Sequence, residues 1–246
     1  MPDAPAVCVF DIETVPDWPA VRRALRLDAT APESEVRAAW EAQAPTPQAA
    51  LKPALQQVVA VAVAWIHPSG AVRRLTALGE PSWEEARLVG EFFRIVQEGR
   101  PRLVGWNSSG FDLPVLVSRA VVHGVPAPRF YTIGEPWHGY RRRYDEEGHL
   151  DLMDVLSQYG AAPRMALRDM AAALGLPVKP LGTGEDVAAW WAAGDLRRIR
   201  AYCEADVWVT AQIFARYAMH RGWWGEAQWA AFHESLAEYG RDEATP

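Results

Sequence analysis

Val7-Cys8-Val9-Phe10-Asp11-Ile12-Glu13-Thr14-Val15 is a run of strand-forming apolar residues that carries two carboxylates near its end. On a strand, side chains at i and i+2 leave the same face roughly 7 Å apart, so Asp11 and Glu13 can both reach divalent cations lying between them. An apolar strand that ends in acid is a costly arrangement. Burying carboxylates without compensation is strongly unfavourable, so the chain must leave these groups in water or supply metal to them. The end of this strand is therefore the first place to look for chemistry.

The chain has 246 residues, 50% of them apolar, enough to close a sizeable core as one α/β domain with embellishments. No window approaches 18 consecutive apolar residues, and Met1-Pro2-Asp3 opens without the positive segment and apolar run of a secretion signal, so neither a membrane span nor export is expected. Two cysteines, Cys8 and Cys203, do not make a disulfide framework, which points to a soluble, reducing, cytoplasmic setting. A net charge of -6 argues against a surface that binds nucleic acid everywhere. It leaves room for a locally positive channel, and two bound divalent cations would offset four of the negative charges.

Residues 17–57 separate the first strand from the next, with two short helices expected around 21–27 and 34–43 and a Pro-spaced stretch from Pro45 to Pro53. This tract has the character of a helical insertion on the sheet. Val58 to Ile66 and Val72 to Leu78 are expected strands, joined at His67-Pro68-Ser69-Gly70 and forming an antiparallel meander with the first. Ser82 and Glu85 have capping-box spacing ahead of a helix that carries Leu88, Val89, Phe92, Phe93 and Val96. Arg102 to Trp106 is a short strand, and Asn107-Ser108-Ser109-Gly110 is loop chemistry leading into a helix, with Pro114 in its first turn. Residues 129–133 are expected as a short edge strand. Helices follow near 152–159 and 166–174, then through Trp191, then a long one from about 195 to 217, before a Trp-rich helical extension over 218–246. The order implies a mixed five-stranded sheet flanked by helices.

An Asp-x-Glu pair alone is a weak signal, and Asp145 with Glu147 repeats it in what is more simply a solvated turn. The first pair gains from its company. Asp112 sits at a strand-to-helix junction, and Asp206 follows Tyr202 by four residues, so both can project from one face of a helix. Each has a bland alternative: Asp112 as a helix cap, Tyr202 and Asp206 as an ordinary half-buried pair.

Phe-Asp-Ile-Glu-Thr at 10–14, Gly-Trp-Asn-x-x-x-Phe-Asp-Leu-Pro at 105–114 and Tyr-Cys-Glu-Ala-Asp-Val at 202–207 resemble the three motifs of the DEDD-superfamily 3′–5′ exonucleases. With His149-Leu150-Asp151-Leu152-Met153-Asp154 between them, they are most similar to the predicted exonucleases related to the proofreading domain of family-B DNA polymerases. One branch of the superfamily carries His five residues before the last Asp; Ala201 stands there, and Tyr202 matches the tyrosine branch.

The resemblance covers most of the chain. It implies a ribonuclease-H-like fold over 1–246 as a single exonuclease domain, and two-metal hydrolysis of the terminal phosphodiester bond with Mg2+ or Mn2+. It implies that Asp11, Glu13 and Asp206 serve one ion, that Asp11 with Asp112 serves the other, and that Tyr202 orients the attacking water. Single-stranded DNA 3′ ends are the implied substrate, with RNA as the alternative and an inactive nucleic-acid-binding or recruitment module as a reading of another class.

Asn107 and Phe111 would lie near the terminal nucleotide, although a core role for Phe111 is equally open. Arg141, Arg142 and Arg143, beside His138, Tyr140 and Tyr144, form a candidate phosphate-contacting patch whose alternative is a solvated loop. Asp151 and Asp154 fit structural roles better than catalytic ones, and Trp190, Trp191, Trp223, Trp224 and Trp229 fit packing. Cys8 and Cys203 are expected as small buried hydrophobes.

Overall fold

The computed structural model describes residues 6–43, 51–132, 139–176 and 184–239. Its centre is a five-stranded mixed sheet in the order β3-β2-β1-β4-β5. The strands are β1 (Val7–Pro16), β2 (Gln56–Ile66), β3 (Val72–Ala77), β4 (Arg102–Gly105) and β5 (His149–Asp151). β1, β2 and β3 form the expected antiparallel meander, while β4 and β5 add parallel to the other side of β1.

Period-two alternation on β1 divides the molecule into two cores. Cys8, Phe10 and Ile12 face one layer, built from α3 (Glu85–Gly99) and α4 (Asp112–His123). There Phe10, Phe92, Phe93 and Phe130 form a chain of ring contacts with centroids 5.2–5.4 Å apart. Val7, Val9 and Val15 face the opposite layer, dominated by α9 (Leu196–His220). Asp11 and Glu13 share the parity of Val9 and Val15, so the sheet's own geometry aims them at α9.

Two local features set how β1 ends. Its register with β2 shifts between Glu13 and Thr14, a bulge placed directly beside the second acid. On its other side β4 stops at Gly105, where a Cβ would stand 2.5 Å from the Ser108 side chain. Asn107 then adopts φ 58, a left-handed conformation that Asn tolerates better than most residues, and the chain turns sharply into α4.

The fifth strand differs from expectation. Residues 128–132 form a helix, α5 (Pro128–Thr132), and the edge strand is β5 instead. Pro128 opens the helical turn, and Phe130 is buried against Phe93 and Tyr140 in a way that one helical turn provides. β5 is only three residues long and polar at both ends, so it carries almost no strand signal of its own.

The Ser82–Glu85 capping box does not form either: Glu84 occupies the N-cap of α3 without a side-chain hydrogen bond. Glu85 is buried and spends its carboxylate elsewhere. It accepts from Val58 N at 2.7 Å, from Arg119 Nε at 2.7 Å and from Arg119 Nη2, and lies 2.7 Å from His123 Nε2. Arg119 also pairs with Asp17 at 3.0 Å, which ties the start of the 17–57 tract to the helical layer.

Within that tract, α1 (Trp18–Ala24) and α2 (Glu33–Gln43) enclose a small separate cluster of Val21, Ala31, Val36 and Leu51. The proline-spaced stretch is described only from residue 51 onward. At the other end, α10 (Glu226–Leu236) packs on the β2–β3 turn. Gly70, at φ 91, leaves no room for a Cβ beside the Gln228 carbonyl, and Ser235 Oγ accepts from Val72 N at 2.8 Å.

Candidate active site

Three elements deliver acids to one place: β1 brings Asp11 and Glu13, the first turn of α4 brings Asp112, and α9 brings Asp206 with Tyr202. Glu13 and Asp112 are buried, while Asp11, Asp206 and Tyr202 keep part of their surface open. The Asp112 Oδ1 accepts from Ile12 N at 3.2 Å. β4 has already turned away at that point, so the carboxylate replaces the missing strand as partner for a β1 amide.

α9 is fixed against the sheet by its side chains. Arg200 donates to the carbonyls of Ala77, Leu78 and Gly79 at 2.8–3.0 Å, and Glu204 accepts from Ala77 N at 2.5 Å. These bonds at the end of β3 set the helix's rotation and axial position. Cys203 and Asp206 are thereby turned toward β1. Trp190, in α8 (Gly184–Ala192), lies edge-on to the Tyr202 ring with centroids 5.7 Å apart, which restricts where the phenol can point.

The electrostatics of the cluster are those of acids short of partners. Burial raises the Asp11 pKa well above the carboxylate range, and the negative charges of Asp112, Glu13 and Asp206 raise it further. Glu13 is likewise raised by burial, then by Asp206 and Asp112. Asp112 is pushed up to about 7 by burial, against hydrogen bonds that pull it down. Asp206 is pushed up to about 6 by burial, partly offset by the hydrogen bond from the Tyr202 hydroxyl. Tyr202 is itself raised by burial and by the neighbouring acids, so it stays a neutral phenol.

Asp11, Glu13 and Cys203 each place a potential ligand atom within 4.8 Å of the others. The carboxylates are hard oxygen donors that fit a hard divalent cation, and a cation would relieve the mutual repulsion. Cys203 plays a different part. Burial and the adjacent acids hold its thiol protonated, and its Sγ lies 3.4 Å from the Asp11 carbonyl and 3.5 Å from Asp11 Oδ2. It orients Asp11 from behind. The expectation of a plain hydrophobe at this position missed that contact, although Cys203 stands three residues before Asp206 and so shares its helix face.

Asp151 also does more than its strand position suggests. Its carboxylate accepts from Asn107 N at 3.0 Å, Ser109 N at 2.8 Å, Met153 N at 3.0 Å and Asp154 N at 3.3 Å. It grips the loop that carries Asp112 and caps α6 (Leu152–Leu156) at once. Ser108 Oγ meets His149 Nε2 at 2.8 Å beneath the same loop, with burial pushing the His149 pKa down to about 4.

The other expected contact residues are dispersed. Asn107 and Phe111 lie in the loop before Asp112, both half-buried, with Phe111 packed against the α3–α4 core. Arg141 lies over the Tyr131 ring at 4.9 Å, Arg142 is exposed, and Arg143 binds Asp154 through two nitrogens. His138 lies outside the described residues.

The fold and the site define a nuclease-type α/β domain with a convergent acid cluster. Residues 48–245 match the family described as "Predicted 3'-5' exonuclease related to the exonuclease domain of PolB". The chain belongs to that family. The match includes Asp112, Tyr202 and Asp206 and begins after Asp11 and Glu13.

A DNA polymerase of Thermococcus aggregans is 26% identical over 141 residues, covering 52% of this chain and 8% of that protein. The family B DNA polymerase of the hyperthermophilic archaeon Pyrobaculum calidifontis is similar in structure, with a TM-score of 0.55 and 20% identity. That alignment covers 87% of this chain and 24% of the polymerase. The chain thus spans a small part of the polymerases it matches. What it shares in structure with the Pyrobaculum calidifontis polymerase is the ribonuclease-H-like mixed sheet with flanking helices.

Proposed function

We propose that this chain removes nucleotides one at a time from the 3′ end of single-stranded DNA by metal-dependent hydrolysis, with Asp11, Glu13, Asp112 and Asp206 as the metal ligands. The observation that carries this reading is the convergence of those four acids from β1, α4 and α9, with Tyr202 bonded to one of them. Two divalent ions held there, Mg2+ or Mn2+, would supply water activation and stabilisation of the leaving 3′ oxygen.

The chain's own groups do the rest. Tyr202 remains protonated and donates to Asp206, which leaves its oxygen lone pair to accept from, and so position, the attacking water. Asp112 holds the end of β1 in place through Ile12 N. Asn107 and Phe111, in the loop that leads into Asp112, are assigned to the terminal nucleotide, and Arg141, Arg142 and Arg143 to phosphates further along the strand. Kinship with the exonuclease domain of a DNA polymerase favours DNA over RNA.

The test is degradation of matched end-labelled DNA and RNA strands with Mg2+, with Mn2+ and with excess chelator. A 5′-labelled DNA strand should give a descending ladder, and a 3′-labelled one should release mononucleotide first. Internal cuts in a closed circle, or undiminished hydrolysis in chelator, would contradict the proposal.

A further inference from the structure

Away from the acid cluster, one exposed surface combines aromatic rings with arginines. Asp154, one helical turn beyond Asp151, is buried, yet it accepts from Arg143 Nε at 2.9 Å, Arg143 Nη2 at 3.0 Å and Arg164 Nη2 at 3.2 Å. Two guanidiniums on one carboxylate leave a net positive charge. Both side chains are about half exposed, 45% and 50%, so their remaining N–H groups face solvent.

Beside Arg143 the Tyr144 ring stands 74% exposed, backed edge-to-face by Tyr159 with centroids 4.9 Å apart. Tyr159 is held in place at a cost. It and Gln158 are successive non-glycine residues in the left-handed region, at φ 55 and 49, and the Tyr159 hydroxyl donates to Glu146 Oε1 at 3.3 Å. Backbone strain here holds Tyr159 against the edge of the α9-side core, and the Tyr144 ring that it backs packs into neither core. A rigid exposed ring next to partly neutralised arginines is the chemistry that binds single-stranded nucleic acid without regard to sequence, because every base has a face to stack and every nucleotide a phosphate.

We propose that Tyr144, backed by Tyr159 and flanked by Arg143 and Arg164, is a stacking platform for a base of the strand upstream of the nucleotide being removed. This rests on the exonuclease reading above. The platform is joined to the acid cluster through α6 and Asp151, whose carboxylate holds the loop leading to Asp112. On this proposal a strand engages the platform only when it extends past the nucleotides seated at the acids, so long oligonucleotides should depend on Tyr144 more than short ones.

The experiment measures binding of 5′-fluorescein-labelled dT3 and dT12 to the full chain in calcium, by anisotropy at several salt concentrations. Tyr144→Ala should weaken dT12 binding about tenfold, within the range that loss of one base–aromatic stack produces. It should leave dT3 within about twofold. Tyr144→Trp should bind dT12 at least as well as the native chain, and Arg164→Gln should flatten the salt dependence for dT12. Unchanged dT12 binding in Tyr144→Ala, or equal weakening of dT3 and dT12, would overturn the platform. Failure of the native chain to hydrolyse dT12 in Mn2+ would instead overturn the exonuclease reading, and the calcium binding data would still decide the platform.

Discussion

Asp112 offers a direct measure of how much stability the acid cluster forgoes. Its folded pKa is pushed up to about 7 from an ordinary 3.8, burial being the main cause. A carboxylate whose folded pKa is raised binds its proton more tightly in the native state. Its cost is therefore absent below about pH 4, grows as the pH climbs, and is fully present above about 7. A shift of roughly 3 units corresponds to about 4 kcal/mol at pH 8, and the same arithmetic leaves under about 2 kcal/mol at pH 5.

Asp112→Asn removes the charge and keeps an oxygen that can accept from Ile12 N. In chelator at pH 8 the variant should melt higher than the native chain, by up to about 10 °C for a domain of this size. The gap should narrow toward pH 5. Native and variant share the His149 titration, which pulls the other way, so it cancels in the difference. Thermal or urea unfolding at both pH values is the assay. Adding Mn2+ at pH 8 should stabilise the native chain more than the variant, whose exonuclease activity should be lost. A variant equally destabilised at pH 5 and pH 8 would refute the reasoning, because Asp112 would then be a net structural anchor and not a strained charge.

Asp11→Ala should abolish hydrolysis, at least about a thousandfold in single-turnover rate, with its melting temperature in chelator kept or raised; the expected loss exceeds the roughly 10–100-fold typical of groups behind a metal ligand. Cys203→Ala belongs to that milder class, so the metal concentration for half-maximal rate should rise about tenfold while the plateau rate holds. Tyr202→Phe removes only the hydroxyl, and the chemical step should fall while strand binding in calcium stays nearly intact. Glu85→Ala leaves Arg119 buried with Asp17 as its remaining carboxylate partner, and should cost about 3 kcal/mol in urea unfolding without changing the metal dependence of the rate.

The sequence exposed the parts of this molecule whose signals are local. The alternation over 7–15 fixes which face of β1 carries the acids, and the i, i+4 spacing of Tyr202 and Asp206 places them together on α9. What it hid depends on contacts between distant segments. β5 is three residues long and exists because β4 offers it a partner, so no periodicity marks it. Glu85 has the spacing of a capping residue, yet Arg119 and His123 arrive from a helix more than thirty residues later and claim its carboxylate. Arg143 belongs to a run that suggests a solvated or phosphate-binding loop, and nothing in its spacing marks the buried Asp154 that also holds its guanidinium.

The acids show the same limit from the other side. Asp151 is satisfied by four backbone amides, Glu85 by an amide, Arg119 and His123, and Asp154 by two arginines. Those donors make them structural. Asp112 receives the Ile12 amide and its own, Asp11 the weak thiol of Cys203, and Glu13 no hydrogen bond from the described residues. Residue type is alike in the two groups, Glu13 and Asp112 are as buried as the structural acids, and the supply of donors is what differs. A buried carboxylate left short of donors persists when a cation completes it or when its cost is carried by the rest of the fold. The bonds from Arg200 and Glu204 to β3, and from Asp151 to the Asn107 loop, hold β1, α4 and α9 in register. They keep the underserved acids from separating, and so preserve a site that fits a divalent metal.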